Sequence, residues 1–202
     1  MYEYIVFGRG ELAIFALKYL KSNNVLKGFV PDLPELDWQD SVVDFCIKNN
    51  ICIIDFEEVE NYISSETIGL SIYFRKIFRS ELINKFKYFV NLHNGPLPKY
   101  RGVNPVNWAL KNNENSHGVT LHHIDEGIDT GDIIDQEIFS INNNLEVIDV
   151  YRMCIKAGKK LIEKSILKID TLPRTIQDDS ISSYYSKSDF GDLGDRKNFK
   201  RS

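Results

Sequence analysis

The sequence predicts an α/β fold, doubly wound around a mostly parallel sheet with helices on both faces and a short C-terminal tail. Three observations carry that prediction. Short, β-rich apolar runs alternate with segments of helical spacing through the first half of the chain. The first run ends in Gly8-Arg-Gly10, directly before a helical pattern. A later run closes on two polar residues, Asn91 and His93, and then enters a loop stiffened by Pro96 and Pro98. The end of a strand facing such a loop is where α/β proteins place their chemistry.

In chain order, Tyr2 to Phe7 reads as the first strand. The spacing of Leu12, Phe15, Ala16, Tyr19 and Leu20 predicts a helix over Glu11 to Leu20. Val25 to Val30 forms a second strand, broken by Pro31-Asp-Leu-Pro34, and Gln39 to Lys48 a second helix. β-branched Ile51 to Ile54 is expected as a third strand, Ile68 to Phe74 as a fourth and Phe86 to Leu92 as a fifth, with a short helix at Ser80 to Asn84 between the last two. Pro105 to Lys111 is a helix with Asn104 as its N-cap. Val119 to Ile124 and Ile133 to Phe139 are strands joined by an acidic turn, and the periodicity of Leu145 to Leu167 predicts the long helix that closes the domain. From Pro173 the chain turns polar, which predicts an extended or mobile tail. The organisation expected is one domain over residues 1–170 and a polar extension over 171–202.

The chain has 202 residues, 43% of them hydrophobic, enough for one sizeable core. Its net charge of −4 argues against nucleic acid or an anionic membrane as the main partner. No run of about eighteen apolar residues occurs. Met1-Tyr-Glu-Tyr lacks the basic start of a secretory signal, so a cytoplasmic protein is expected. Cys46, Cys52 and Cys154 lack metal-ligand spacing and read as buried thiols in a reducing compartment. No metal site is expected. The Ile-, Leu- and Tyr-rich C-terminal third offers a surface for a homodimer.

Gly8-Arg-Gly10-Glu-Leu-Ala13 fits a dinucleotide-binding turn, with Asp32 near the end of the next strand as the ribose acid. The same turn also serves for phosphate, or simply for packing a strand closely on a helix. Asn91 and His93 alternate across Leu92 and so share a face of their strand. Each alone would read as a hydrogen-bonding partner of the loop; together, before a rigid turn, they mark a site. His117 is expected in an exposed loop. His122 and His123 point to opposite faces, so at most one looks into the site. Asp125, Glu126, Asp129 and Asp132 all lie in the acidic turn, and spacing does not choose among them.

Several stretches resemble one family together and in order: Asn91-Leu-His93, Pro96-Leu-Pro-Lys-Tyr-Arg-Gly102, Pro105 to Trp108, Gly118-Val-Thr and Asp129-Thr-Gly131-Asp. They look like the formyltransferases that use 10-formyltetrahydrofolate, over about residues 68–138, with a topological likeness before that. The resemblance implies a Rossmann-like formyltransferase fold and a catalytic asparagine, histidine and aspartate at Asn91, His93 and Asp129. It implies folate binding along Tyr73, Phe74, Arg75, Lys76 and Ile77, with the pterin against Glu126, Gly127 and Ile128. Gly8, Gly10, Arg101 and Trp108 are the candidates for contact with the acceptor substrate. The chain departs from the family at Asn94-Gly-Pro96, where the serine of many members is missing.

Formyl transfer to an amine passes through a tetrahedral carbon bearing an oxyanion, which a neutral amide donor such as Asn91 stabilises. His93 has the ordinary pKa range of a proton acceptor, and Asp129 is placed to take the proton or to orient the imidazole. Within the family, the wording of these motifs and the Ser183-Tyr-Tyr-Ser186 segment are most similar to enzymes that formylate nucleotide-linked amino sugars, on dTDP or UDP carriers, for surface polysaccharide such as O-antigen. A methionyl-tRNA enzyme is expected to carry a further RNA-binding domain, and a glycinamide ribonucleotide enzyme an Asn/Ser-rich phosphate turn after the first strand. A folate hydrolase is expected to carry a regulatory domain. An NAD-binding module using Gly8, Gly10 and Asp32 is the reading from outside the family.

Overall fold

Residues 3–8 form an almost uninterrupted apolar run, and it becomes a strand buried at every position after Glu3. The computed structural model describes residues 2–35, 40–142 and 144–197. The chain divides into two compact units, residues 1–92 and 93–202.

In the first unit, β1 (Glu3–Gly8) leads into α1 (Gly10–Ser22), followed by β2 (Leu26–Pro31), α2 (Val42–Lys48), a 3₁₀ segment at Phe56–Tyr62, β3 (Thr67–Ile72), α3 (Ser80–Ile83) and β4 (Tyr88–His93). The strands pair in the order β2-β1-β3-β4, all parallel. Parallel strands need covered faces, and β3 is buried along its whole length. On α1, Leu12, Ala13, Ala16, Leu17 and Leu20 are buried at helical spacing, each leucine contributing about 1.5–3 kcal/mol. Phe7 is the hub of an aromatic cluster, 5.2–5.9 Å from the rings of Phe74, Phe78, Phe86 and Phe89. Gly69 makes room for this cluster: a Cβ there would lie 2.4 Å from the Phe89 ring.

In the second unit, β5 (Arg101–Gly102) precedes α4 (Pro105–Lys111), β6 (Ser116–His123), β7 (Ile133–Ser140), α5 (Val147–Ser165) and β8 (Tyr184–Tyr185). β6 and β7 form an antiparallel hairpin across the acidic turn. α5 opens with a reciprocal capping box between Glu146 and Asp149. It buries Val147, Val150, Cys154, Leu161 and Ile162 along one stripe. β8 runs parallel to β5.

Several expectations are corrected. Ile51 to Ile54 is not a full strand; it makes one isolated bridge, Ile53 to Phe29, beside β2. β3 stops at Ile72 because Tyr73 turns left-handed, at φ 58°, which ends the ladder two residues before the expected boundary. The second helix begins at Val42, capped by Ser41; Gln39 lies outside the described residues. Asn104 holds the N-cap position of α4 but in a left-handed conformation, so its side chain makes no capping bond. Of the three free cysteines, Cys52 is exposed. The 3₁₀ segment at Phe56–Tyr62 was not foreseen. Nor is the tail merely extended: 3₁₀ segments at Asp179–Ile181 and Lys187–Lys197, β8 and the buried Leu193 fold it onto the second unit, because its scattered apolar residues find partners that no local pattern announces. Among the described residues no helix is long and apolar enough to cross a membrane.

Candidate active site

His93 ends β4 and is buried, at 6% exposure. The loop that follows wraps back on it: Gly95 approaches so closely that a Cβ would sit 2.8 Å from the ring Nε2. Nε2 lies 2.8 Å from the carbonyl of Tyr100. A carbonyl only accepts, so Nε2 carries the hydrogen and Nδ1 is left with its lone pair. That Nδ1 faces Asp129, 3.4 Å from Oδ2.

Asp129 comes from the acidic turn between β6 and β7, held left-handed at φ 56°. A non-glycine residue in that region is strained, and such strain gathers at working sites. Its Oδ2 accepts the backbone N–H of Gly102 at 2.8 Å, and its Oδ1 lies 3.5 Å from Nε2 of His122. Nδ1 of His122 in turn lies 2.8 Å from the carbonyl of His123, so this ring bridges that carbonyl and Asp129. The two imidazoles meet edge-on, their centres 6.3 Å apart. Asp129 therefore stands between two ring nitrogens, Nδ1 of His93 and Nε2 of His122. A proton delivered to either imidazole is stabilised at once by the carboxylate.

Burial sets the charge states. For His93, desolvation is the leading influence and lowers the pKa, outweighing the pull of Asp129 in the other direction. Desolvation also works against ionised Asp129. The neighbouring His93 and His122 and the Gly102 N–H outweigh it and hold the carboxyl well below its ordinary range. A neutral imidazole beside an ionised carboxylate is a proton-accepting pair at neutral pH.

The loop between His93 and Tyr100 is pinned from β6 and β7. Thr120 Oγ1 donates to Gly95 O at 2.6 Å and accepts from Leu97 N at 3.1 Å. Gln136 Nε2 donates to Leu97 O at 3.0 Å. His117 is not in an exposed loop, as the sequence led us to expect. It lies in β6, fully buried, its Nε2 2.8 Å from Asn94 O. Burial drives its pKa down to about 4.

The remaining candidates fall as follows. Asn91 is half-buried in β4, in register with Ser71. Tyr73 to Ile77 lies in the first unit as a loop after β3, with Ile77 80% exposed and Lys76 Nζ 4.3 Å over the Phe56 ring. Glu126, Gly127 and Ile128 form the exposed tip of the acidic turn in the second unit, where Gly127 N donates to Asp125 at 3.1 Å. Gly8 brings β1 tight against β3: a Cβ there would meet Ile72 O at 2.2 Å. Gly10 opens α1. Asp32 is buried and engaged by Arg75 at 2.7 Å and Arg9 at 3.5 Å, so two guanidinium groups already occupy the carboxylate that a ribose would need. Arg101 is buried and grips Gln177 and Asp179. Trp108 stacks on Tyr185, rings 4.2 Å apart. Among the described residues no cluster could hold a metal ion.

Residues 57–166, more than half of the sequence, match the formyl transferase family. The chain belongs to that family. Among solved formyl transferases, the Helicobacter canadensis N-formyltransferase in complex with folinic acid and dTDP-3-aminofucose is 34% identical, with a TM-score of 0.84, covering 94% of this chain and 72% of that one. WlaRD, a sugar 3N-formyl transferase determined with dTDP and 5-N-formyl-THF, is 33% identical, with a TM-score of 0.82, over 94% and 71%. The methionyl-tRNA formyltransferase of Caldicellulosiruptor saccharolyticus is 32% identical over 153 residues, 71% of this chain and 49% of that protein. The chain spans about a third to a half of the length of the curated relatives it matches.

Sequence reasoning missed three parts of this candidate site. His122 was narrowed by alternation but not chosen. The Gly102 N–H was invisible because any residue's backbone can donate. Gln177, which touches the Asp129 turn, sits in a polar stretch without periodicity and carries no local signal.

Proposed function

We propose that this chain transfers the formyl group of 10-formyltetrahydrofolate to the amine of a nucleotide-linked amino sugar, of the kind built into surface polysaccharide. The observation that carries the reading is the likeness, across 94% of the chain at 34% identity, to a formyltransferase crystallised with a folate and a dTDP-amino sugar. The geometry of the second unit supports the same chemistry.

The amine nitrogen attacks the formyl carbon, the bond from that carbon to the folate nitrogen breaks, and one proton passes from the amine to the departing nitrogen. Asn91, two residues before His93 on the same strand, offers an uncharged N–H donor to the oxyanion that develops; such donors are worth about 3 kcal/mol. His93, kept neutral by burial and with its lone pair on Nδ1, accepts the amine proton. Asp129 stabilises the imidazolium formed. The proton then returns from the His93–Asp129 pair to the leaving nitrogen. Tyr73–Ile77 in the first unit and Glu126–Ile128 in the second are, each taken by itself, our candidates for folate contact. Ile77 and Ile128 present apolar surface suited to a flat ring, and Tyr73 and Phe74 sit at the end of β3, where α/β folds bind ligands.

A second acceptor, methionyl-tRNA, is favoured by the relative that shares 32% identity over 71% of the chain. One experiment separates the two. Purified protein is incubated with 10-formyltetrahydrofolate and, in parallel, with dTDP- and UDP-amino sugars, glycinamide ribonucleotide and methionyl-tRNA. Tetrahydrofolate release and formylated product are followed. Product from an amino sugar is the expected result. Product from methionyl-tRNA alone overturns the sugar assignment, and folate turnover with no amine present replaces transfer by hydrolysis.

A further inference from the structure

We propose that Gln177 is a positioning residue that sets the Asp129 carboxylate against His93. The inference rests on the formyl-transfer reading for the chemistry it serves, but its geometry stands independently. Gln177 is buried, at 8% exposure, although it lies in a polar stretch outside any helix or strand. All of its amide capacity is directed. Its Nε2 donates to the backbone carbonyls of Asp129 at 2.9 Å and Gly131 at 2.7 Å, one bond for each of its two hydrogens. Its Oε1 accepts from Arg101 Nε at 3.1 Å and Arg101 Nη2 at 2.8 Å. Asp179, two residues on, takes a further bond from Arg101 Nη2 at 2.8 Å.

The consequence follows from where those carbonyls are. Asp129 is held in a left-handed conformation, and relaxation of that backbone would swing its carboxylate away from the imidazoles. Gly131 is clamped on its other side: a Cβ there would meet His123 O at 2.0 Å. Gln177 ties both residues to Arg101, whose neighbour Gly102 gives its N–H to Asp129 Oδ2. The tail thus closes a ring of hydrogen bonds through both the backbone and the side chain of Asp129. A displacement of about 1 Å at such a group costs on the order of 10²-fold in rate.

Gln177→Glu and Gln177→Met separate positioning from simple bracing. Glutamate keeps the acceptor for Arg101 but has no hydrogens for the two carbonyls; methionine keeps only the length. The chain has four histidines, so their ring signals are resolvable by NMR. The ionisable groups facing His93 are Asp129 on the turn and His122 and His117 on β6. His117 serves as the internal control, since its bonded partner, Asn94, lies apart from the turn.

Positioning predicts that in both variants the His93 and His122 signals move at neutral pH while His117 stays in place. It also predicts that kcat falls 10- to 100-fold and that KM for the folate changes less than threefold. Full kcat in Gln177→Glu with a loss only in Gln177→Met would reduce Gln177 to a brace for Arg101 and overturn the proposal. So would unmoved His93 and His122 signals, or His117 moving together with them. Shifted signals in a protein that formylates none of the acceptors would leave the positioning role standing and remove the functional reading instead.

Discussion

At the scale of single residues, the site turns on how Asp129 meets the two imidazoles. The Tyr100 carbonyl holds the hydrogen of His93 on Nε2 and leaves its Nδ1 lone pair facing Asp129, while Nε2 of His122 approaches the other carboxylate oxygen. Asp129→Asn should therefore be severe although it is nearly isosteric, because an amide neither stabilises an imidazolium nor takes part in proton transfer. We expect Asn91→Ala, His93→Ala and Asp129→Asn each to lower kcat by at least about 10²-fold, with circular dichroism unchanged. Turnover retained by His93→Ala at pH 7 would remove His93 from the proton path.

His117 makes a separate prediction. Its pKa falls from the ordinary 6.5 to about 4 in the folded protein, so below pH 6.5 the unfolded chain binds more protons than the folded one. Stability is accordingly full above about pH 7 and declines as the pH drops through 6.5 towards 4, by on the order of 3 kcal/mol from this residue. Urea unfolding of His117→Gln at pH 7 and pH 5 should show a clearly smaller pH-dependent loss than the parent. An equal loss would assign the effect elsewhere.

At the scale of elements, the two-residue pairing of β5 with β8 is small but crowded. Gly102 sits at φ 91°, and a Cβ there would lie 2.1 Å from the carbonyl of Tyr185. Tyr185 itself stacks on Trp108 and Tyr100, and the Tyr100 N–H donates to the Ser183 hydroxyl. Gly102→Ala should push the two segments apart and cost about 2 kcal/mol or more. Catalysis should suffer further, since the same residue donates to Asp129. A melting temperature within 1 °C of the parent would show that the pairing yields freely.

Elements of this kind also mark where the sequence stopped being legible. β1 and β4 declared themselves as apolar runs, and α1 and α5 by helical period. Ile51 to Ile54 had the right residues for a strand but lies beside β2 with a single bridge, because strand composition does not reveal how much partner backbone is within reach. Asn104 looked like a cap and turned left-handed instead. His117 looked like an exposed loop residue and lies buried in β6. His93 and Asp129 were marked by order and by resemblance, whereas Gln177 reaches its partners from far along the chain and left no local trace.

At the scale of the whole molecule, thiol accessibility gives a simple check of the packing. Cys46 and Cys154 are buried, and burial raises both thiols, that of Cys46 to about 11, while Cys52 is exposed. At pH 8 one equivalent of an aromatic disulfide reagent should react quickly with the native protein, and the other two only on unfolding. Three fast equivalents would contradict the core as described. Ligands that occupy the folded protein add stability by mass action, about 2.7 kcal/mol at a hundred times their dissociation constant. A folate analogue and a dTDP compound should each raise the melting temperature, and the rise from both together would measure how strongly the two occupancies are coupled.

The Gln177 ring has a bearing on how the protein is made. Asn91, His93 and Asp129 all leave the ribosome before the segment that fastens the Asp129 turn. At roughly 5–20 residues per second, Gln177 and Tyr185 follow only seconds later. During that interval a nascent chain holds the groups proposed for the proton path without the two Gln177 bonds to the Asp129 turn. On the role proposed for Gln177, full competence to react would arrive as a late step of synthesis, with the emergence of one glutamine.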